Sequence, residues 1–449
     1  MTSRPCALAL LAALLVPVVA QAQGTPTSKA AVGPSVQRPP AAVVPAQSQA
    51  AQSAPSQSAP SQPAPSSPVP SQPGTSQVPP AFVAFLQELW PDARAKGVTR
   101  QTFDLAFAGV TPDPRIMPIT QRQPEFGQSV GTYIANFASK SRIETGMRKA
   151  AEHAATLEAV EKEFGVDRWL VLAIWGVETN YGNMRDRWDV IRSLATLAQA
   201  RWRHPYFRDE LITALLVLQE KHIAREAMLG SWAGAMGQPQ FMPSSFREFA
   251  VDFTGDGKRD IWTSVPDVLA SIANYFRKKG WTPGLATAFE VTVPPGFDLR
   301  HSRGSFDDWR ILGVHRIDGG LLPTKGEAIL FFPSGARGPA FLITDNFVVI
   351  KRYNNSDVYA LAATHLADRM RGRGPIQGQW PSDDRQLSMA ERIALQKKLS
   401  ELGYPVRNFT GHFDFDLRDA VRDVQLKAGL VPDGHPTPAL LTHAGVVVR

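Results

Sequence analysis

Apolar residues in "AFVAFLQELWPDARAKG" fall at Phe82, Phe85, Leu86 and Leu89, three and four apart, and predict an amphipathic helix that opens a globular region at Ala81. The same spacing through "SRIETGMRKAAEHAATLEAVEKEFG" predicts helix up to Gly165, where glycine takes the left-handed conformation that ends one. Asp167 then suits the N-cap of a further helix, "RWLVLAIWGVE". That helix is apolar on all sides, so it belongs at the buried centre of an α-rich domain. Later, "FEVTVPPGFDL", "EAILFFPS" and "AFLITDNFVVIKRYN" alternate as strands do and predict a small antiparallel sheet inserted in the helical body. "YALAATHLADRM" returns to helix, and "ERIALQKKLSELGY" predicts a basic amphipathic helix beyond a polar, proline-containing stretch. The expected class is mainly α (α+β).

One position breaks the pattern. Glu178 follows the long apolar run, in the last turn before "TNYG". Burial disfavours a carboxylate anion, and so does the partial negative charge at a helix C-terminus. Both raise the pKa, and a carboxyl that keeps its proton near neutral pH is what a general acid needs. The plainer alternative is a glutamate that leaves the core as the helix ends and pairs with Arg185 or Arg187.

Composition sets the wider frame. With 449 residues, 43% hydrophobic and 20% charged, the chain has material for two or three domains. Arg4, the apolar "ALALLAALLVPVVA" and Ala20-Gln21-Ala22 read as a signal peptide over residues 1–22, cleaved after Ala22. Cys6, the single cysteine, precedes the apolar stretch, so it is not placed to be a lipidated mature N-terminus. The mature chain then holds no thiol and forms no disulfide in an oxidising envelope compartment. No later segment has the length of apolar sequence that spans a bilayer. Residues 23–80, rich in Pro, Ser, Gln and Ala, cannot bury enough apolar surface to offset their ordering entropy and read as a disordered linker. The net charge of +7 is scattered. It favours a polyanionic partner, and export argues against nucleic acid.

"GSWAGAMGQPQFMPSSF" is a loop whose glycines let backbone approach a ligand, with amide, hydroxyl and aromatic groups that suit sugar rings. "KRYNNSDVY" adds a second such cluster. In order and spacing, "GVETNYG", "GAMGQPQFMPSS", "DFTGDGKRDIW" and "RYNNS" resemble the membrane-bound lytic murein transglycosylase B family, from about Pro79 to Met370.

The resemblance implies a lysozyme-like catalytic domain over residues 81–371. It implies cleavage, without water, of the β-1,4 bond between N-acetylmuramic acid and N-acetylglucosamine in peptidoglycan, and no cofactor for the chemistry. Glu178 takes the place of the sole acid and base. Ser231 and Gln240 match residues near the muramyl N-acetyl group and the glutamate, and Phe241 matches a subsite aromatic. Tyr353, Asn354 and Tyr359 match the cleft segment, with Tyr206 and Tyr275 as further cleft tyrosines. Partners are the glycan strands, and beyond them other cell-wall enzymes. A lysozyme-like hydrolase would need a second carboxylate, with Asp186 and Asp189 as candidates. A non-catalytic wall-binding scaffold would have no use for a buried Glu178.

"DFTGDGKRDIWT" sets Asp252, Thr254, Asp256 and the Lys258 carbonyl at spacings of a calcium loop, with Thr263 where the bidentate glutamate belongs. The family resemblance suggests closure by Asp267, and the alternative is an acidic turn held by its own hydrogen bonds. After a linker over residues 372–386, residues 387–449 look like a three-helix peptidoglycan-binding domain whose usual turn is altered to "GHFDFD". As a tethered module it would act by effective concentration, so its removal would weaken wall binding and spare turnover of soluble fragments.

Overall fold

The computed structural model describes residues 78–120, 128–183 and 188–446. The expected signal peptide and nearly all of the expected linker lie outside the described residues, as do Arg185, Asp186 and Arg187. The linker's last expected residue, Pro80, instead opens the first helix, Pro80–Ala95. Proline suits a first helical position because its missing N–H would have no partner there.

Asp167 caps the central helix Arg168–Thr179 by accepting from the N–H of Trp169 (2.8 Å) and Leu170 (3.2 Å). Leu170 through Gly176 are all buried, as an all-round apolar helix requires. Asn180 and Tyr181 then take positive φ of 50° and 60°, which stops the helix just past Glu178. Upstream, the single helix expected to reach Gly165 is two: Lys140–Glu152 and Ala154–Phe164, broken at His153 and ended by Gly165 at φ 69°. The His153 ring lies edge-on to Trp175, 5.8 Å away. This tertiary contact sits at the bend, where periodicity alone shows no break.

Among the described residues seven strands form two sheets: β1 (Trp188–Asp189) with β2 (Leu229–Gly230), and a five-stranded antiparallel sheet from β3 (Ala288–Thr292), β4 (Arg303–Ser305), β5 (His315–Arg316), β6 (Glu327–Phe331) and β7 (Ala340–Ile343). Its order is β4-β6-β7-β3-β5, and Phe289, Phe306, Trp309, Leu330 and Leu342 build a small core on it. The expected strand "AFLITDNFVVIKRYN" is corrected: only Ala340–Ile343 is extended, and Asp345–Lys351 is helix. Buried Asn346 forces the change of direction. Its side chain accepts from Thr282 N–H and donates to the carbonyls of Thr282 and Leu285, bonds of 2.7–2.8 Å that a continuing strand could not offer.

The C-terminal helices Met389–Glu401, Phe415–Lys427 and Pro438–His443 pack around Leu387, Leu395, Leu399, Val421 and Leu440. In the altered turn, Gly411 N–H donates to Gln396 (2.7 Å) and Asp414 caps the middle helix through Leu417 N–H (2.8 Å). The stretch 372–386 is not a free spacer. Gln377 and Gly378 N–H groups donate to the Glu290 carboxylate, Trp380 lies on Gly131, and Asp384 bonds His435 at 2.9 Å.

Candidate active site

Glu178 and Tyr359 come from helices 181 positions apart in sequence and meet through one hydrogen bond: the Tyr359 hydroxyl donates to Glu178 Oε1. Glu178 is half-buried at the end of its helix, and Tyr359 is buried in the first turn of the helix Asp357–Met370. Ser356 caps that helix by accepting from Tyr359 N–H itself (3.3 Å). Burial, and secondarily the charge of Glu178, hold the hydroxyls of Tyr359 and Tyr353 well above the ordinary phenol range. Both tyrosines therefore stay protonated and act as donors. Tyr353 donates to the Pro239 carbonyl (2.6 Å), joining the "RYN" segment to the glycine-rich loop.

That loop is folded on itself and fastened to the glutamate helix. Gly230 pairs with Trp188, Ser231 N–H donates to Ala235 O (2.8 Å), and Met236 and Phe241 exchange backbone bonds. A Cβ on Gly230 would lie 2.1 Å from Ala235 O, so only glycine fits. Gln238 makes the fastening: it accepts from Trp175 Nε1 (2.7 Å), donates to Trp262 O (2.9 Å), and its carbonyl takes the Thr179 hydroxyl (2.9 Å). Gln240, at φ 53°, turns its amide onto Gly237 O (3.0 Å).

Two of the expected sugar-facing aromatics lie against Tyr353. Phe241 is 2% exposed and Tyr275 7%, and with Phe276 they pack on Tyr353, whose ring lies 4.7 Å from Tyr275, 5.5 Å from Phe276 and 6.0 Å from Phe241. They form the support of Tyr353. Tyr206 is 44% exposed and neighbours Phe207 and Glu210; burial at its hydroxyl and the Glu210 charge push that hydroxyl up to about 12. Asn354 is exposed in the loop before the Tyr359 helix, and Ser231 accepts Ala235 N–H (3.0 Å) in its turn. Of the two candidate second carboxylates, Asp186 lies outside the described residues. Asp189 is committed: one oxygen caps Arg192 N–H (3.0 Å) and the other pairs with Arg225 (2.8 Å).

Gln238, Thr179 and Tyr181 were not singled out by the sequence reading. Tyr181 donates to Arg142 O (3.0 Å) and packs on Gly146 and Gly176, where a Cβ would fall 2.4 and 2.5 Å from the tyrosine. The available signal was the pair of glycines and the "TNYG" stop.

The acidic loop satisfies itself. Asp252 accepts from Gly255 (2.7 Å) and Gly257 N–H (2.8 Å), Asp256 from Lys258 N–H (2.9 Å), and fully buried Asp267 from Phe253 and Asp260 N–H (2.9 Å each). Burial pushes the Asp267 carboxyl up despite those bonds. Among the described residues no three acidic or histidine side chains converge as a cation cage. Asp252, Thr254, Asp256, Lys258 and Asp267, the expected calcium ligands, are thus joined in one hydrogen-bonded arrangement.

The α-rich body thus carries the Tyr359–Glu178 pair and has a C-terminal helical domain seated on it. Residues 81–368 match the family described as transglycosylase SLT domain, and residues 388–443 match a peptidoglycan binding domain. The chain is 30% identical over 262 residues to the membrane-bound lytic murein transglycosylase B of Escherichia coli K12, covering 56% of this chain and 70% of that protein. It superposes on SltB3 from Pseudomonas aeruginosa, solved in complex with NAG-anhNAM-pentapeptide, with TM-score 0.75 and 42% identity over 82% of this chain and all of that one. It is also similar to the Escherichia coli lytic transglycosylase Slt35 in complex with calcium, with TM-score 0.55 and 27% identity over 65% of this chain and 93% of that one. The chain belongs to the membrane-bound lytic murein transglycosylase B family, enzymes that act on peptidoglycan.

Proposed function

We propose that Glu178 is the only acid and base of a non-hydrolytic cleavage of the β-1,4 bond between N-acetylmuramic acid and N-acetylglucosamine. The observation that carries this is the hydrogen bond from the neutral, buried Tyr359 hydroxyl to Glu178, while Asp189 is spent on Arg225 and a helix cap. Glu178 gives its proton to the glycosidic oxygen as the bond from that oxygen to C1 breaks. The muramyl acetamide oxygen supports the positive charge at C1. Glu178, now a carboxylate, takes the proton of the C6 hydroxyl as that oxygen bonds to C1, which leaves a 1,6-anhydromuramyl end. Protons balance and no water is consumed. Tyr359 holds the carboxyl through both states, since a hydroxyl adapts its donor and acceptor roles.

The enzyme acts in the periplasm on this reading, which rests on the signal-like residues 1–22, on the cell-wall substrate class, and on no described helix being long and apolar enough to cross a membrane. Calcium is at most a structural ligand of the acidic loop and takes no part in the proton steps. Mass spectrometry of digested peptidoglycan tests the chemistry. Anhydromuramyl ends are expected; reducing ends would establish a hydrolase, and intact glycan a scaffold.

A further inference from the structure

Three side chains of the site ride on one short segment. Residues 351–359 join the helix Asp345–Lys351 to the helix Asp357–Met370 and carry Tyr353, Asn354 and Tyr359. Both ends of that segment are held by the C-terminal domain. At one end Lys351 Nζ donates to the Phe413 carbonyl (2.6 Å) and pairs with Asp357 (2.8 Å). At the other, Asp357 Oδ2 takes Arg418 Nη2 at 2.6 Å, and Arg418 is itself fixed on the Gly434 carbonyl (3.1 Å). Lys351, Asp357 and Arg418 are only 7%, 8% and 6% exposed. Between them Phe415 enters the main core, with its ring 5.7 Å from Phe331 and 6.5 Å from Phe347.

A domain that acts only as a tether needs none of this. Burying charge is costly unless the partners are well placed, so such a cluster persists only with the domain in one seat. Apolar contact alone is non-directional, whereas charge-assisted hydrogen bonds fix position. Asp357 also lies in the first helical turn, two residues before Tyr359, and Ser356 between the helices caps Tyr359 N–H. Any movement of Asp357 therefore passes directly into the tyrosine that meets Glu178.

We propose that the C-terminal domain is a positioning element of the active site: seated through Arg418 and Phe413 on Asp357 and Lys351, it holds the segment that aims Tyr359 at Glu178. This rests on the reading of Glu178 and Tyr359 as the reacting pair. The domain can still bind wall, but its removal does not spare turnover of soluble fragments.

The test is a double-mutant cycle in the full chain with soluble glycan oligomers as substrate, and with sacculus binding and thermal melting measured alongside. Arg418→Met should lower kcat by about ten- to a hundredfold, the cost of a misplacement on the ångström scale, and change KM by less than about twofold. Arg418→Lys, which keeps the charge, should recover most of kcat. In a Tyr359→Phe background, Arg418→Met should cost less than about twofold further, because the residue through which it acts is already disabled. Equal losses in both backgrounds would overturn the proposal. So would an unchanged kcat on soluble glycan with weakened sacculus binding. Should Arg418→Met fail to fold, the cycle is run with Arg418→Gln, which keeps a hydrogen-bond donor but no charge, and equal losses in both backgrounds refute it equally. The cycle reads the rate of cleavage whatever the new ends are, so reducing ends would sink the transglycosylase chemistry and leave this result standing.

Discussion

Replacing Tyr359 with phenylalanine removes one oxygen from the site and almost nothing else. The ring is buried and stays in place, so the volume lost is that of a hydroxyl. In the wild type that hydroxyl donates to Glu178, and a hydrogen bond to a charged group is worth about 1.5–3 kcal/mol. The bond is most valuable when Glu178 is a carboxylate, the state reached once it has protonated the leaving oxygen. If the whole of it is expressed in the transition state, kcat should fall by about ten- to a hundredfold, since about 1.4 kcal/mol is a factor of ten. Fold stability should change little, because the phenylalanine no longer has to desolvate a hydroxyl. The assay is release of soluble muropeptides from purified sacculi, with the products resolved by mass spectrometry and the melting temperature followed in parallel. A kcat equal to wild type in a well-folded Tyr359→Phe would refute the role given to Tyr359. A melting temperature lowered by many degrees would show instead that the hydroxyl holds the fold.

Glu178→Gln keeps shape but can neither give nor take the proton; acid–base assistance is worth about 10²–10⁴-fold and is used twice here, so peptidoglycan turnover should be abolished, and retained turnover would remove Glu178 from the mechanism. Gly176→Ala should cost about 1–3 kcal/mol, because the added Cβ would lie 2.5 Å from the Tyr181 ring; denaturant unfolding reads it, and wild-type stability would refute the packing argument. Chelator should lower the melting temperature of wild type but not of Asp256→Ala, because an ion held only by the folded loop stabilises it; no effect on wild type would remove calcium from the loop. Burial raises the Asp357 carboxyl, but Lys351 and Arg418 more than offset it and hold it at about 2 against an ordinary 3.8. The folded value is depressed, so this stability is present above the unfolded pKa of 3.8 and is lost as pH falls toward about 2. Asp357→Asn should flatten that part of the melting curve against pH.

Much of the fold was legible along the chain because the signals are local. Asp167 as cap, Gly165 as stop and the apolar run between Leu170 and Gly176 need only their neighbours in sequence to act. The isolated glutamate after that run marked the candidate acid, and the four motifs marked the family. The failures share a different cause. "DNFVVIK" carries apolar residues that fit either strand or helix, and the choice fell to Asn346, whose partners lie near Thr282. The break at His153 coincides with a contact to Trp175.

The sequence alone determined that the chain is mainly helical, where the carboxyl of Glu178 sits in its helix, and which chemistry the motifs resemble, since these depend on spacing within a few turns. Only the tertiary structure decided that Tyr359 meets Glu178, that Phe241 and Tyr275 support Tyr353 from beneath, and that Gln238 bolts the loop to the glutamate helix. It alone seated Arg418 on Asp357. The physical reason is the range of the interactions. Helix propensity and capping act between residues a few positions apart, whereas hydrogen bonds and buried ion pairs join whichever groups the packed core brings within about 3 Å, however far apart they lie along the chain.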